Sequence, residues 1–143
     1  MKKETRIFAV IDTNVLVSSF FSADGMSPPA IVVNSVINGL VKPLYNEEII
    51  QEYRDVLSRD KFNFGKEQIE DLIQAFVYFG INSGRMECIG EFFPDKDDVV
   101  FYEVKMSCDS AFLVTGNIKH FPADPLVVTP SQMVDILKNR NLI

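Results

Sequence analysis

Two spacings of apolar residues alternate along the chain. Short runs are apolar at nearly every position, and longer stretches return to apolar residues every three or four positions. The first run, "RIFAVI" at residues 6–11, is led by β-branched residues and predicts a strand buried on both faces. Asp12, Thr13 and Asn14 interrupt it, and the apolar stretch "VLVSSFF" that follows predicts a helix. After a loop, Pro28 and Pro29 mark a helix start and Gly39 its stop. "LVKPLY" at 40–45 reads as a short strand. In "NEEIIQEYRDVLSRDKF" at 46–62, Ile49, Ile50, Tyr53, Val56 and Leu57 share one helical face. Asn46 stands there as N-cap, and Glu47 and Glu48 suit the first turn. "GKEQIEDLIQAFVYFG" at 65–80 is a second amphipathic helix with Ile69, Leu72, Ile73, Phe76 and Val77 inward. "RMECIG" at 85–90 reads as a strand and "DKDDVVFYEVKMSC" at 95–108 begins a helix. "AFLVTG" at 111–116 and "LVVT" at 126–129 are strands, and "PSQMVDILKNR" at 130–140 is a closing helix.

Strands separated by helices predict an α/β fold with a mostly parallel sheet and right-handed crossovers. Ligand sites in such sheets lie beyond the carboxyl ends of the strands. Asp12 follows one strand and "TGN" follows another, so both fall on that edge.

Composition narrows the class. The chain has 143 residues, 47% of them hydrophobic, with 12 Phe and no Trp. That suits one globular domain spanning residues 1–143, with a sizeable core. No apolar stretch reaches the roughly 18 residues that span a bilayer, and Glu4 and Asp12 break any signal-peptide core. The expectation is a soluble cytoplasmic protein with no membrane partner. Cys88 and Cys108 form no CxxC, and with a single His they make no zinc site at usual spacing, so buried free thiols are expected. The net charge of −6 argues against a non-specific coat on nucleic acid. It does not argue against an enzyme that meets phosphates through divalent cations, which make an acidic cleft receptive to them.

Oxygen donors gather at element ends: Asp12 after the first strand, Glu48 and Glu52 one turn apart on a helix, Asp95, Asp97 and Asp98 at a helix start, and Asn117 after "VTG". Hard cations such as Mg²⁺ and Mn²⁺ bind carboxylate and water oxygens, and carboxylates brought together repel one another unless a cation joins them. Each residue also has a plain structural account. Asp12 and Asp95 could cap the helices that follow them. Asp97, Glu48 and Glu52 could be solvated charges, with Arg59 and Lys61 near the last two. Asn117 after Gly116 is an ordinary turn pair. His120 reads as structural or phosphate-contacting rather than as a ligand.

Taken together, "VIDTNVLVSSFF", "NEEIIQEYRDVLSR" and "FPDKDDVVFYEVKMSCDSAFLVTGNIKHF" resemble the PIN-domain family, in particular its branch of toxin components of toxin–antitoxin pairs. The resemblance covers nearly the whole chain. It implies a three-layer α/β/α fold with a central, mostly parallel sheet, and a metal-dependent endoribonuclease that cuts single-stranded RNA with Mg²⁺ or Mn²⁺. Carried over by position, the catalytic acids are Asp12, Glu52 and Asp98, with Asp12 and Asp98 on the metal. Thr13, Asn14, Asp95, Thr115 and Asn117 support them. The family's fourth acid, after "TG", is here Asn117, which brings a neutral oxygen and no charge. RNA is the implied substrate, and an antitoxin protein and a second copy of the chain are the implied partners. Lys119 and His120 would lie by the cleft, where a cation can face an RNA phosphate.

Two other readings compete. A PIN scaffold weakened by Asn117 would bind RNA or a protein without cutting. A haloacid-dehalogenase-like phosphatase would want a second Asp two residues after Asp12, where Asn14 stands. No P-loop motif occurs.

Overall fold

The computed structural model describes residues 7–88 and 90–143. Glu4, Arg6 and Ile89, on which parts of the sequence reading fall, lie outside the described residues. Five parallel strands form one sheet in the order β3-β2-β1-β4-β5. They are β1 (Ile7–Ile11), β2 (Val41–Tyr45), β3 (Ile81–Asn82), β4 (Phe112–Val114) and β5 (Val127–Val128). Six helices cover the sheet: α1 (Thr13–Phe20), α2 (Pro28–Ile37), α3 (Glu47–Leu57), α4 (Lys66–Phe79), α5 (Val99–Met106) and α6 (Pro130–Asn139). The arrangement is the α/β/α layering expected of a PIN-like fold. Among the described residues, no helix is long and apolar enough to cross a membrane.

β1 is the central strand, and its uninterrupted apolar run follows from that position. It pairs with β2 on one side and β4 on the other, and Ile7, Ala9, Val10 and Ile11 are buried. Its register sets Ile11 opposite Val114, so the next residues, Asp12 and Thr115, leave the sheet side by side.

Helix starts follow local chemistry. Ser27 accepts from the Ala30 amide with Pro28 at the first helical position of α2, and Gly39, at φ +79°, ends the turn after that helix. Asn46 caps α3 by accepting from the Ile49 amide at 2.9 Å. Thr129 and Gln132 form a reciprocal capping box at α6. α3 then buries Ile49, Ile50, Tyr53 and Leu57, with Val56 half-buried. The fully buried Tyr53 hydroxyl donates to the Ile11 carbonyl at 2.5 Å and so fastens α3 to the end of the central strand.

Two expectations are corrected. Val77 was expected inward on α4 but is 45% exposed. The sheet stops beside it, because the edge strand β3 is only two residues long and itself exposed. The strand expected at 85–90 does not form: residues 83–88 are irregular, and the edge strand lies earlier, at Ile81–Asn82. Glu103 of α5 takes the hydrogen bonds a strand neighbour would have supplied. Its carboxylate accepts from the Cys88 amide at 2.9 Å and its backbone carbonyl from the Met86 amide at 3.0 Å. Cys88 and Cys108 are free thiols, as expected, but half-buried.

The Tyr53 tether is testable. Tyr53→Phe keeps the ring packing and removes one buried donor, so urea unfolding is expected to show a loss of about 1–2 kcal/mol. An unchanged midpoint would mean that the tether contributes nothing to holding α3.

Candidate active site

All strands being parallel, their carboxyl ends share one edge, and the sequence-nominated residues sit along it. Asp12 follows β1 and occupies the N-cap position of α1, yet its carboxylate makes no capping hydrogen bond. It turns instead to side chains. Thr115 Oγ1 donates to Asp12 Oδ2 at 2.7 Å, and Asn14 Nδ2 donates to the same oxygen at 3.2 Å. Thr115 also accepts from the Asn117 amide at 3.0 Å, and Asn14 Oδ1 accepts from the Gly116 amide at 3.2 Å. The "DTN" and "VTGN" segments are thus laced together across β1 and β4.

Glu52 stands on α3 beside the anchored Tyr53 and accepts from Thr13 Oγ1 at 2.8 Å. Asp98 closes a short 3-10 turn, Lys96–Asp98, that leads into α5. Asp95 caps that turn by accepting from the Asp97 amide at 2.9 Å, the structural role open to it from the sequence. Asp98 Oδ2 is buried and has no hydrogen-bond partner; His120 Nδ1 approaches it at 3.3 Å without completing a bond. Glu48 points to Arg85, 2.6 Å away, rather than into this group. Asn117 and Lys119 are exposed at the rim.

The electrostatics follow from this crowding. Burial first, then the Asp98 charge, pushes Asp12 up to about 6, against the opposing Thr115 bond. Burial also raises Glu52, with Asp12, Asp97 and Asp95 adding repulsion and the Thr13 bond opposing it. Asp98 is raised by burial and by Asp95 and Glu52, with His120 opposing. Asp12, Glu52 and Asp98 therefore feel one another's charge.

They do not, however, form a closed ligand set. Among the described residues no group of three His, Cys, Asp or Glu is arranged to hold one ion. The donors still fit a hard cation held by two carboxylates with water completing its shell. All are oxygens, they repel one another, and one buried oxygen of Asp98 is unpaired.

Sequence reasoning did not find Arg85. Its guanidinium joins Glu48 of α3 to Glu103 of α5, at 2.6 Å to each, and so braces the two helices that carry Glu52 and follow Asp98. It opens the segment read as a strand, and no local spacing links it to Glu48 or Glu103, so only the long-range geometry reveals its role.

A parallel α/β sheet with buried, mutually repelling carboxylates at its carboxyl edge defines a protein built to manage negative charge at one site. A family model described as PIN domain matches residues 9–119, and the chain belongs to the PIN-domain family. PIN domains are in general nucleases, act on nucleic acids and usually use divalent metal ions. No curated protein and no solved structure matches the chain at a significant level.

Asp12 carries a pH signature. Its folded value of about 6 lies above the ordinary 3.8, so the folded chain holds the proton more tightly than the unfolded one. Its contribution to stability is therefore greatest below about pH 4, falls between about pH 4 and 6, and stays low above. In chelator at pH 7.5, Asp12→Asn is expected to be more stable than the parent by roughly 2–3 kcal/mol, the gain fading toward pH 4. Thermal or urea unfolding across pH measures it. An Asn variant less stable at every pH would show that the charge is not under strain.

Proposed function

We propose that this chain is a metal-dependent endoribonuclease cleaving single-stranded RNA, with Asp12, Glu52 and Asp98 as catalytic residues, and that it is the toxin of a toxin–antitoxin pair in the cytoplasm. The observation that carries the reading is the convergence of Asp12, Glu52 and Asp98 at one sheet edge, with a buried Asp98 oxygen faced only by His120, 3.3 Å away. Asp12 and Asp98 would hold Mg²⁺ or Mn²⁺, which when bound supplies Lewis-acid activation of water and of the phosphodiester. Glu52 takes the proton of the attacking water. Thr13 fixes one of its oxygens, and burial and neighbouring acids raise its affinity for that proton. The water oxygen bonds to phosphorus, the bond from phosphorus to the leaving oxygen breaks, the leaving oxygen takes a proton from solvent water, and Glu52 returns its own proton to solvent. Thr115 and Asn14 aim Asp12, as hydrogen-bonded neighbours of ligands do. Asp95 shapes the turn that presents Asp98, and Asn117 offers a neutral oxygen at the rim. The toxin assignment, with its antitoxin and homodimer partners, rests on the likeness of "QEYRDVL" and "LVTGN" to that branch of the family.

A second reading, a scaffold that binds RNA or a protein and no longer cuts, is favoured by the neutral, exposed Asn117.

Purified protein with Mn²⁺ and unstructured RNA tests the first reading. Glu52→Gln is expected to lower the cleavage rate about 10²–10⁴-fold, and Asp12→Asn and Asp98→Asn to abolish it. Parent-level cutting by either Asp variant sinks the reading. Under the scaffold reading the parent is feeble and Asn117→Asp creates or raises cleavage. A fully active parent removes that alternative.

A further inference from the structure

An aromatic array at the far end of α1 and in the α3–α4 connection takes no part in the chemistry above. Phe62 and Phe64 stack with centroids 5.2 Å apart and planes 7° from parallel, and Phe64 stacks on Phe20 at 4.5 Å. Phe21 meets Phe62 and Phe64 edge-on at 5.9 and 5.1 Å. Phe20 and Phe64 pack onto the core, whereas Phe21 is 62% exposed and Phe62 is half-buried outside it. The connection is well held. The Phe62 amide donates to the Arg59 carbonyl at 3.0 Å and the Asn63 amide to the Asp60 carbonyl at 3.2 Å, with Asn63 at φ 54°.

Three cations flank the array: Arg59, Lys61 and Lys66. Lys61 Nζ lies 5.1 Å from the centre of the Phe62 ring. Among the described residues none of the three makes an ion pair, whereas Arg54, Arg85 and Lys105 each do. Arg59 and Lys66 face a cavity shared with Phe64. Arg59 also lines a groove of 660 Å³ that contains Glu48, Glu52 and Asp97. The groove that Glu52 lines and the cavity beside Phe64 thus share Arg59.

We propose that this array is a stacking platform for unpaired bases of single-stranded RNA, with Arg59, Lys61 and Lys66 meeting its phosphates. This rests on the reading of the chain as a nuclease for single strands and extends it to how the strand is gripped. Aromatic faces accept any base, but only one that is out of a duplex. The cations supply, locally, the positive charge that a chain of net charge −6 otherwise lacks for phosphate. A purely apolar protein contact would leave three unpaired cations around its rim without partners.

The chain contains no Trp, so Phe62→Trp places a single reporter at the platform. Titrated in chelator with a 12-nucleotide unstructured RNA, its fluorescence is expected to quench saturably, and a duplex of the same sequence to leave it unchanged. In anisotropy with the labelled strand, the Phe21→Ala, Phe62→Ala double variant is expected to bind about 10-fold or more weakly, and Phe62→Trp alone to bind like the parent. Both aromatics lie outside the core, and thermal unfolding checks that the variants fold. RNA binding with no quench and undiminished affinity in the double variant overturns the platform, as does no RNA binding at all. So does sedimentation showing a dimer that the double variant dissociates, because the surface is then a protein contact. Quenching of Phe62→Trp by the single strand, with a parent that does not cut, keeps the platform and sinks the nuclease reading. A parent that cuts while the double variant binds as tightly does the reverse.

Discussion

A carboxylate buried at the end of the central strand is the constraint on which the site depends. Asp12 follows β1, a strand with a partner on each side, and is itself buried, so it has no freedom to turn toward water. Desolvation penalises its charge, and one short bond from Thr115 offsets part of the penalty. That bond exists because the β1–β4 register sets Ile11 opposite Val114 and so brings residues 12 and 115 together. Strand pairing over many residues therefore determines the state of one side chain. The fold tolerates a charge it would otherwise expel, which is how sites that must attract a cation are commonly built.

The second carboxylate is placed by a different device. Tyr53 and Glu52 are neighbours on α3, and successive helical residues point about 100° apart. Tyr53 enters the core and donates to the carbonyl just before Asp12. Glu52, turned away from the core by that rotation, meets the hydroxyl of Thr13 just after Asp12. A buried bond and a cleft bond thus bracket Asp12 from adjacent positions of one helix. Arg85 adds a brace from the other side, tying Glu48 of the same helix to Glu103.

What could be read in the chain beforehand follows from how local each cause is. Continuous apolar runs reported β1, β2, β4 and β5, because a strand covered on both faces needs apolar residues at every position. Local signals reported the starts of α2 and α3, because Pro28 and the Asn46 cap act within one turn, whereas the Ser27 and Thr129 caps emerge only from the structure. The "RMECIG" segment misled because the amides of Met86 and Cys88 are taken up by Glu103, fifteen residues beyond Cys88 and next to it only once folded. Val77 misled because helical spacing does not show where a sheet ends. At the site, Asp12, Glu52 and Asp98 were each ambiguous alone. The parallel-sheet rule brings their elements to one edge, but no spacing reports that Asp98 keeps an unpaired oxygen or that Asp12 declines to cap α1.

Asn117 can be weighed on the same physical scale. Its side chain is exposed, so a carboxylate there would be largely solvated and would add little to the repulsion already felt by Asp12. Stability of the ion-free fold therefore gives no reason for the neutral residue. What the amide changes is the charge facing anything that enters the edge. Three acids attract a cation less strongly than four, and they also repel an approaching phosphate less. The two effects act in opposite directions on a nuclease, and which one dominates depends on whether cation or strand arrives first. The position is thus one where charge and function separate cleanly, because the backbone amide of Asn117 already makes the structural bond to Thr115 whatever side chain it carries.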